Sequence, residues 1–316
     1  WLCIPIIWGM EIEADRMMRV SSRAMIAAAC LAAAIIALPQ ISIAQENGSV
    51  NLGDDVSSGK ARSGNITFHL EMSPDPESGE AAPLLTIIYR GRQVLRQFGA
   101  PGGFGGPYGS ARFVEVDRSN DTPEVIFSTF SGGAHCCTQM QVATKTGANS
   151  WTAVDLGVWD GAGPAISDLD GDGAGELVTI DQRFLYAFDC YACSAAPRQI
   201  LAIRDGRLED VSREDRFREE QERYLAEMIS WQRKATQPGQ KFSPGFYAGY
   251  VAQSALLGKG SKAWEEMLAA YSPSEDPGFE MCRNQAFPGD CAPDEKIHAR
   301  FPEALRSFLK ASGYDF

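Results

Sequence analysis

The sequence has no basic run, and its 41 Asp and Glu outnumber its 29 Lys and Arg for a formal net charge of −12. A chain so charged is repelled by phosphate backbones and anionic headgroups, which argues against nucleic acid and anionic lipid as partners. Histidine is scarce. Only three are present, and His69 and His298 have no neighbour at ligand spacing, so both read as ordinary surface or core residues. Long apolar runs are missing except at 24–38 (AMIAAACLAAAIIAL), which falls short of the about 20 residues that a membrane span needs. The glycine-rich stretch 98–110 (FGAPGGFGGPYGS) lacks the Lys-Ser/Thr of a phosphate loop and reads as a surface loop.

The apolar run at 24–38 has another meaning. Arg19 and Arg23 precede it, and Ser42-Ile43-Ala44 follows in the small-x-small form of a cleavage site, which together make a secretory signal. Met17 or Met18 is a better start than Trp1, so residues 1–16 read as upstream sequence and 1–44 are set aside. The segment removed carries as many acids as bases, so the exported chain keeps its negative charge. Cys30 has a short apolar stretch before it inside a run that continues past it, which argues against lipidation. The expected location is periplasmic or secreted, with no stable membrane span after cleavage.

Export gives meaning to the cysteines. Cys136, Cys137, Cys190, Cys193, Cys282 and Cys291 remain, and an even set in an oxidising compartment reads as disulfides. Cys282 and Cys291 are close together and far from the rest, which favours pairing them. Adjacent cysteines in a strand point to opposite faces, so Cys136 and Cys137 are expected to bridge outward, to Cys190 or Cys193. A zinc site or a thiol nucleophile built on His135 is the alternative, and both need thiolates that the compartment disfavours. CYAC (190–193) also has redox CxxC spacing, but its flanks set it at a strand-to-loop position and not at a helix start.

Residues 45–63 are polar and rich in glycine and serine, and read as a disordered linker. From 64 to 211 short β-branched and aromatic runs alternate with turn residues: NITFHLEM, LLTIIYRG, ARFVEV, EVIFSTF, TQMQVATK, WTAVDLG, ELVTI, RFLYAFD and QILAIRDG. Past 211 the period becomes helical, with a capping box expected at Ser212 and Asp215 and helices over 213–236, 246–258, 261–271 and 302–312. The expected class is α+β, an N-terminal antiparallel β-repeat region (64–211) followed by an α-helical region (212–316).

Within the β region, SDLDGDGAGELV (167–178) crowds four acids together. Like charges so close repel unless a cation sits among them, and a hard divalent ion with oxygen ligands resolves this. Asp168, Asp170 and Asp172 fall at positions 1, 3 and 5. Gly173 at position 6 permits a sharp turn, the carbonyl of Ala174 serves position 7, and Glu176 closes at position 9. An EF-hand would close at position 12, where this chain has Thr179, and would flank the loop with helices. A weaker copy lies at 113–127, with Glu115, Asp117, Asn120 and Glu124 in register with Asp168, Asp170, Asp172 and Glu176 after one insertion; Arg118 inside it disfavours an ion there.

The DLDGDGAGEL loop resembles those of the FG-GAP and VCBS repeat families, whose DxDxDGxxD pattern binds calcium between adjacent strands of propeller blades. That resemblance covers about 162–180 strongly, the 113–127 copy weakly and nothing past 211. Two copies cannot close a propeller, so it implies a short stack of blade-like sheets. It further implies calcium as the bound ion and a protein or glycan as partner of a non-enzymatic interaction module. A periplasmic hydrolase with loop-borne catalytic groups, or a thiol/disulfide redox protein, is the alternative.

Overall fold

The computed structural model describes residues 48–101, 108–130, 136–237, 240–283, 287 and 289–316. The expected signal segment, His135 with the rest of 131–135, residues 102–107 of the glycine-rich loop and the side chain of Cys136 lie outside the described residues.

Strands come first along the chain. They are β1 (Ser49–Asn51), β2 (Ser58–Ser63), β3 (Ile66–Pro74), β4 (Ala81–Tyr89), β5 (Arg92–Phe98), β6 (Tyr108–Val114), β7 (Glu124–Phe130), β8 (Cys136–Lys145) and β9 (Trp151–Asp160). After these come β10 (Ala165–Ser167), β11 (Glu176–Ile180), β12 (Arg198–Arg204) and β13 (Arg207–Asp210). All pairings are antiparallel, in three sheets ordered β2-β3-β4-β5, β1-β6-β7-β8-β9 and β10-β11-β12-β13.

Side-chain period explains how the sheets stack. In β3 alternate residues Ile66, Phe68 and Leu70 are buried and Thr67 and His69 are not, the pattern of a strand with one covered face. In β7 the run Glu124–Phe127 is buried without a break. Val125 and Phe127 meet Phe68, Leu85 and Ile87 of the first sheet. Ile126, with Met140 and Val142 of β8, meets Leu177, Leu201 and Ile203 of the third. The middle sheet is thus covered on both faces.

Four helices follow: α1 (Arg218–Ala235), α2 (Pro244–Leu256), α3 (Gly260–Ala270) and α4 (Phe301–Ala311), with the small hairpin β14 (Phe279–Cys282) and β15 (Lys296–Ala299) between α3 and α4. The Ser243 hydroxyl accepts from the Phe246 N–H and Pro244 opens α2, a well-formed N-terminus. Helices α2, α3 and α4 close around Val251, Trp264, Met267, Leu305 and Phe308, and Phe184 and Phe188 enter that core from the connection between β11 and β12. The fold is α+β with its helices C-terminal, and Gln45–Phe316 form one compact unit. No described helix is long and apolar enough to cross a membrane.

Three expectations are corrected. The stretch expected as a disordered linker contains β1 and β2; β2 pairs with β3 along its length and buries Ala61, and Leu52 enters the first core. An edge strand needs only one neighbour's backbone and little apolar area, so its polar composition misleads. RFLYAFD is not a strand. It begins in a 3-10 turn at Gln182–Phe184, and Phe184 and Phe188 face one core at a spacing of four while Tyr186 turns outward at φ 63°. Ser212 does not cap α1 either. Its hydroxyl accepts from the Ile200 N–H at 2.9 Å, and α1 starts after a 3-10 turn at Asp215–Phe217.

Candidate metal centre

The acidic stretch is the hairpin loop between β10 and β11, where Ser167 pairs with Glu176. Gly171 and Gly173 have φ of 75° and 95°, which bulky residues avoid, and this lets the loop curl back on its first carboxylate. Asp168 Oδ1 accepts from the N–H of Gly171 (2.8 Å) and of Asp172 (3.1 Å), and its Oδ2 accepts from Gly173 N–H (3.0 Å). Glu176 closes the loop by accepting from Leu169 N–H at 2.9 Å.

The fold brings together Asp168, Asp170 and Glu176, each with a carboxylate oxygen within 4.8 Å of the others. Burial pushes the Glu176 carboxyl above its ordinary value, with the charge of Asp170 adding to the effect and the Leu169 N–H opposing it. Asp172 is turned elsewhere. It accepts from Ala174 N–H at 2.8 Å and lies 3.5 Å from Arg118, and the Ala174 bond is the main cause that holds its carboxyl below the ordinary value. Arg216, in the 3-10 turn before α1, reaches Asp170 Oδ2 at 2.5 Å. Spacing within the loop gave no sign of this cation, which arrives from the helical region.

The weaker copy occupies the equivalent place between β6 and β7, where Val114 pairs with Glu124. Glu124 is 0 % exposed. Its Oε2 accepts from the N–H of Val116 (3.0 Å) and Asp117 (3.1 Å), and its Oε1 from Asn120 Nδ2 (2.9 Å) and Thr144 Oγ1 (3.1 Å). The Asn120 amide also donates to Asp117 O and Thr144 Oγ1, so a neutral nitrogen bridges three oxygens in the middle of the loop. Asp117 accepts from Gly206 N–H at 2.9 Å, in the Asp205-Gly206 turn between β12 and β13. Burial pushes Glu124 up to about 7 despite these donors. The two loops touch: Gly175 N–H donates to Glu115 O at 2.8 Å.

Among the cysteines, Cys282 and Cys291 are joined. Cys190 and Cys193 are joined to each other, so the expected bridge from Cys137 to either does not form; Cys137 is itself disulfide-bonded. The two cysteines stand at the two ends of a single 3-10 turn with their Cα atoms 4.9 Å apart, within reach of one another across one turn of chain. That turn sits in the connection between β11 and β12, in keeping with the strand-to-loop position read from its flanks.

A family model described as the sll0997 C-terminal domain matches residues 221–313, the span from α1 to α4. The chain is 32% identical over 266 residues to a probable thylakoid lumen protein, sll0997, of Synechocystis, an alignment covering 81% of this chain and 75% of that protein. It is also 32% identical over 250 residues to the protein y4bJ of Sinorhizobium fredii, covering 78% of this chain and 39% of that one. No solved structure matches.

Proposed function

The chain belongs to the family of the probable thylakoid lumen protein of Synechocystis, and from that premise we propose that it is an exported binding module whose second acid loop takes a calcium ion. Three supports stand behind this reading. The relative's lumen is, like a periplasm, reached by export, and the disulfides Cys190–Cys193 and Cys282–Cys291 suit an oxidising compartment. The stacked antiparallel sheets agree with a blade-like scaffold, to which the likeness of DLDGDGAGEL to FG-GAP and VCBS loops adds the ion.

The convergence of Asp168, Asp170 and Glu176 carries the proposal. Calcium takes six to eight oxygens and prefers carboxylates and carbonyls, and this donor set is hard oxygen throughout. Asp172 and the Ala174 carbonyl are the neighbours available to complete the shell. Arg216 and Arg118 offset part of the charge, and a divalent ion would have to displace Arg216 from Asp170 while that side chain keeps its bond to Glu214 at 2.8 Å. An ion here would tie β10 to β11 and fix the loops that a protein or glycan partner meets.

Calorimetric titration of the exported chain with calcium chloride tests the proposal. Binding heat from the wild type that disappears in Asp168→Asn and Asp170→Ala is the expected result. A wild type that gives no heat, or an Asp170→Ala variant that gives the same heat, overturns it.

A further inference from the structure

The Cys190–Cys193 cross-link lies apart from the acid loops, and its surroundings differ from those of Cys282–Cys291. Cys282 is 2 % exposed, ends β14 and closes a separation of nine residues. Cys190 and Cys193 are both exposed and close a separation of three. The stabilisation from a disulfide grows with the length of chain it closes, so this bond removes little freedom from the unfolded chain.

Other contacts hold the segment. Phe184 and Phe188 before the pair and Ala196 after it are buried in the helical core. Ala195 N–H donates to Gly245 O at 3.2 Å, and a side chain at Gly245 would collide with Asp189 Cβ (2.6 Å) and Cys193 O (2.9 Å). The turn is therefore pinned against the start of α2 whether its sulfurs are bonded or free. Beside it, Tyr186 is 63% exposed, with its ring 5.4 Å from that of Tyr191. Tyr186 keeps φ at 63°, a conformation rare for a bulky residue, with its ring outward beside that of Tyr191, the residue after Cys190. Tyr191 is half-buried and its hydroxyl bonds to Asp160, so it backs the exposed Tyr186 ring, and an exposed tyrosine held in this way is a favoured anchor for a protein partner.

We propose that Cys190–Cys193 is a thiol–disulfide exchange site, reduced by the dithiol of an exported CxxC oxidoreductase that docks on Tyr186 and Tyr191. A thiolate of the donor attacks one sulfur of the pair, forming a mixed disulfide and releasing the other sulfur, which takes a proton. The donor's second thiolate then attacks the mixed disulfide, closing the donor's own S–S bond and releasing the remaining cysteine as a thiolate that is protonated. Two electrons and two protons pass from donor to chain. A carboxylate oxygen of Asp189 lies within 4.8 Å of both sulfurs, where its charge works against release of a thiolate and so against reduction; the exposure of the pair and its three-residue closure act the other way.

The test is a graded reduction of the exported chain with dithiothreitol or with a thioredoxin-class dithiol, followed by alkylation and mass mapping. Cys190 and Cys193 are expected to label at a donor concentration about tenfold or more below that needed for Cys282 and Cys291, with the near-ultraviolet circular dichroism unchanged. In a second arm, Cys193→Ser leaves Cys190 free and is expected to trap a mixed disulfide with the oxidoreductase that Tyr186→Ala weakens. Reduction of both pairs together, loss of tertiary dichroism as CYAC opens, or no trapped adduct overturns the proposal.

Discussion

The loop between β6 and β7 and the loop between β10 and β11 solve one problem in two ways. Each starts just after a strand, ends in a buried glutamate and has to satisfy that carboxylate away from water. In the first, Asn120, Thr144 and two backbone N–H groups supply four donors to Glu124, and the loop closes on protein groups alone. In the second, an aspartate stands where the first has Asn120, and Glu176 accepts from Leu169 while its other neighbours include the carboxylates of Asp168 and Asp170. Where Asn120 bridges three oxygens in the first loop, Asp172 in the second turns to Ala174 and Arg118 and leaves Asp168, Asp170 and Glu176 with no amide among them.

That contrast predicts unequal costs on truncation. Glu124→Ala strands four donors inside the protein, and each buried donor left without a partner costs about 1–3 kcal/mol. With partial relaxation the loss is expected near 4 kcal/mol by urea unfolding, roughly what breaking a buried charged network costs. Glu176→Ala, measured without calcium, is expected to lose about half as much. Equal losses would mean that the second loop closes as completely as the first and needs no ion.

Acidity sharpens the comparison next. Glu124 is raised from an ordinary 4.5 to about 7, so between these values the folded chain holds a proton that the unfolded chain has released. The contribution of Glu124 to stability is therefore full below about pH 4.5 and declines as pH rises toward 7, by up to ~3 kcal/mol. Asp172 acts with the opposite sign: its carboxyl is held low, so its contribution is present at neutral pH and fades in acid. Unfolding free energies of wild type and Glu124→Gln across pH 4 to 8 separate the two. The variant is expected to lose most of the decline with rising pH, and an unchanged slope would place the buried proton elsewhere.

How much of this could be read beforehand varies with where the partners lie in the chain. EVIFSTF and ELVTI form β7 and β11 with the bounds read from their composition, and the acid spacing marks both loops. β5 (RQVLRQF) and β2 (SGKARS) are polar edge strands whose state is set by the neighbour they pair with, and nothing within them announces it. RFLYAFD supports either an alternating or a fourfold period, and only the helical core below Phe184 and Phe188 decides between them. At the site, Asp168, Asp170 and Glu176 are local and were legible. Thr144 and Arg216 reach Glu124 and Asp170 from other strands and turns, and no local pattern links them to the loops they serve.

The smallest expected effect concerns the contact between the loops. Arg118 and Asp172 are 3.5 Å apart, with side chains 58% and 35% exposed, so solvent screens their attraction. Exposed pairs of this kind contribute at most about 1 kcal/mol, and Arg118→Ala is expected to change the unfolding free energy by less than that. The change should shrink further in high salt. Arg118 lies in the loop that already satisfies itself, and its charge is directed at the loop that does not. With calcium present the Arg118→Ala variant is expected to bind the ion slightly more tightly, because one competing cation is gone. A loss well above 1 kcal/mol in calcium-free buffer would mean that the two loops act as one coupled unit, joined by this pair and by the Gly175 to Glu115 bond. The difference between them could then no longer be assigned to the residues within each loop.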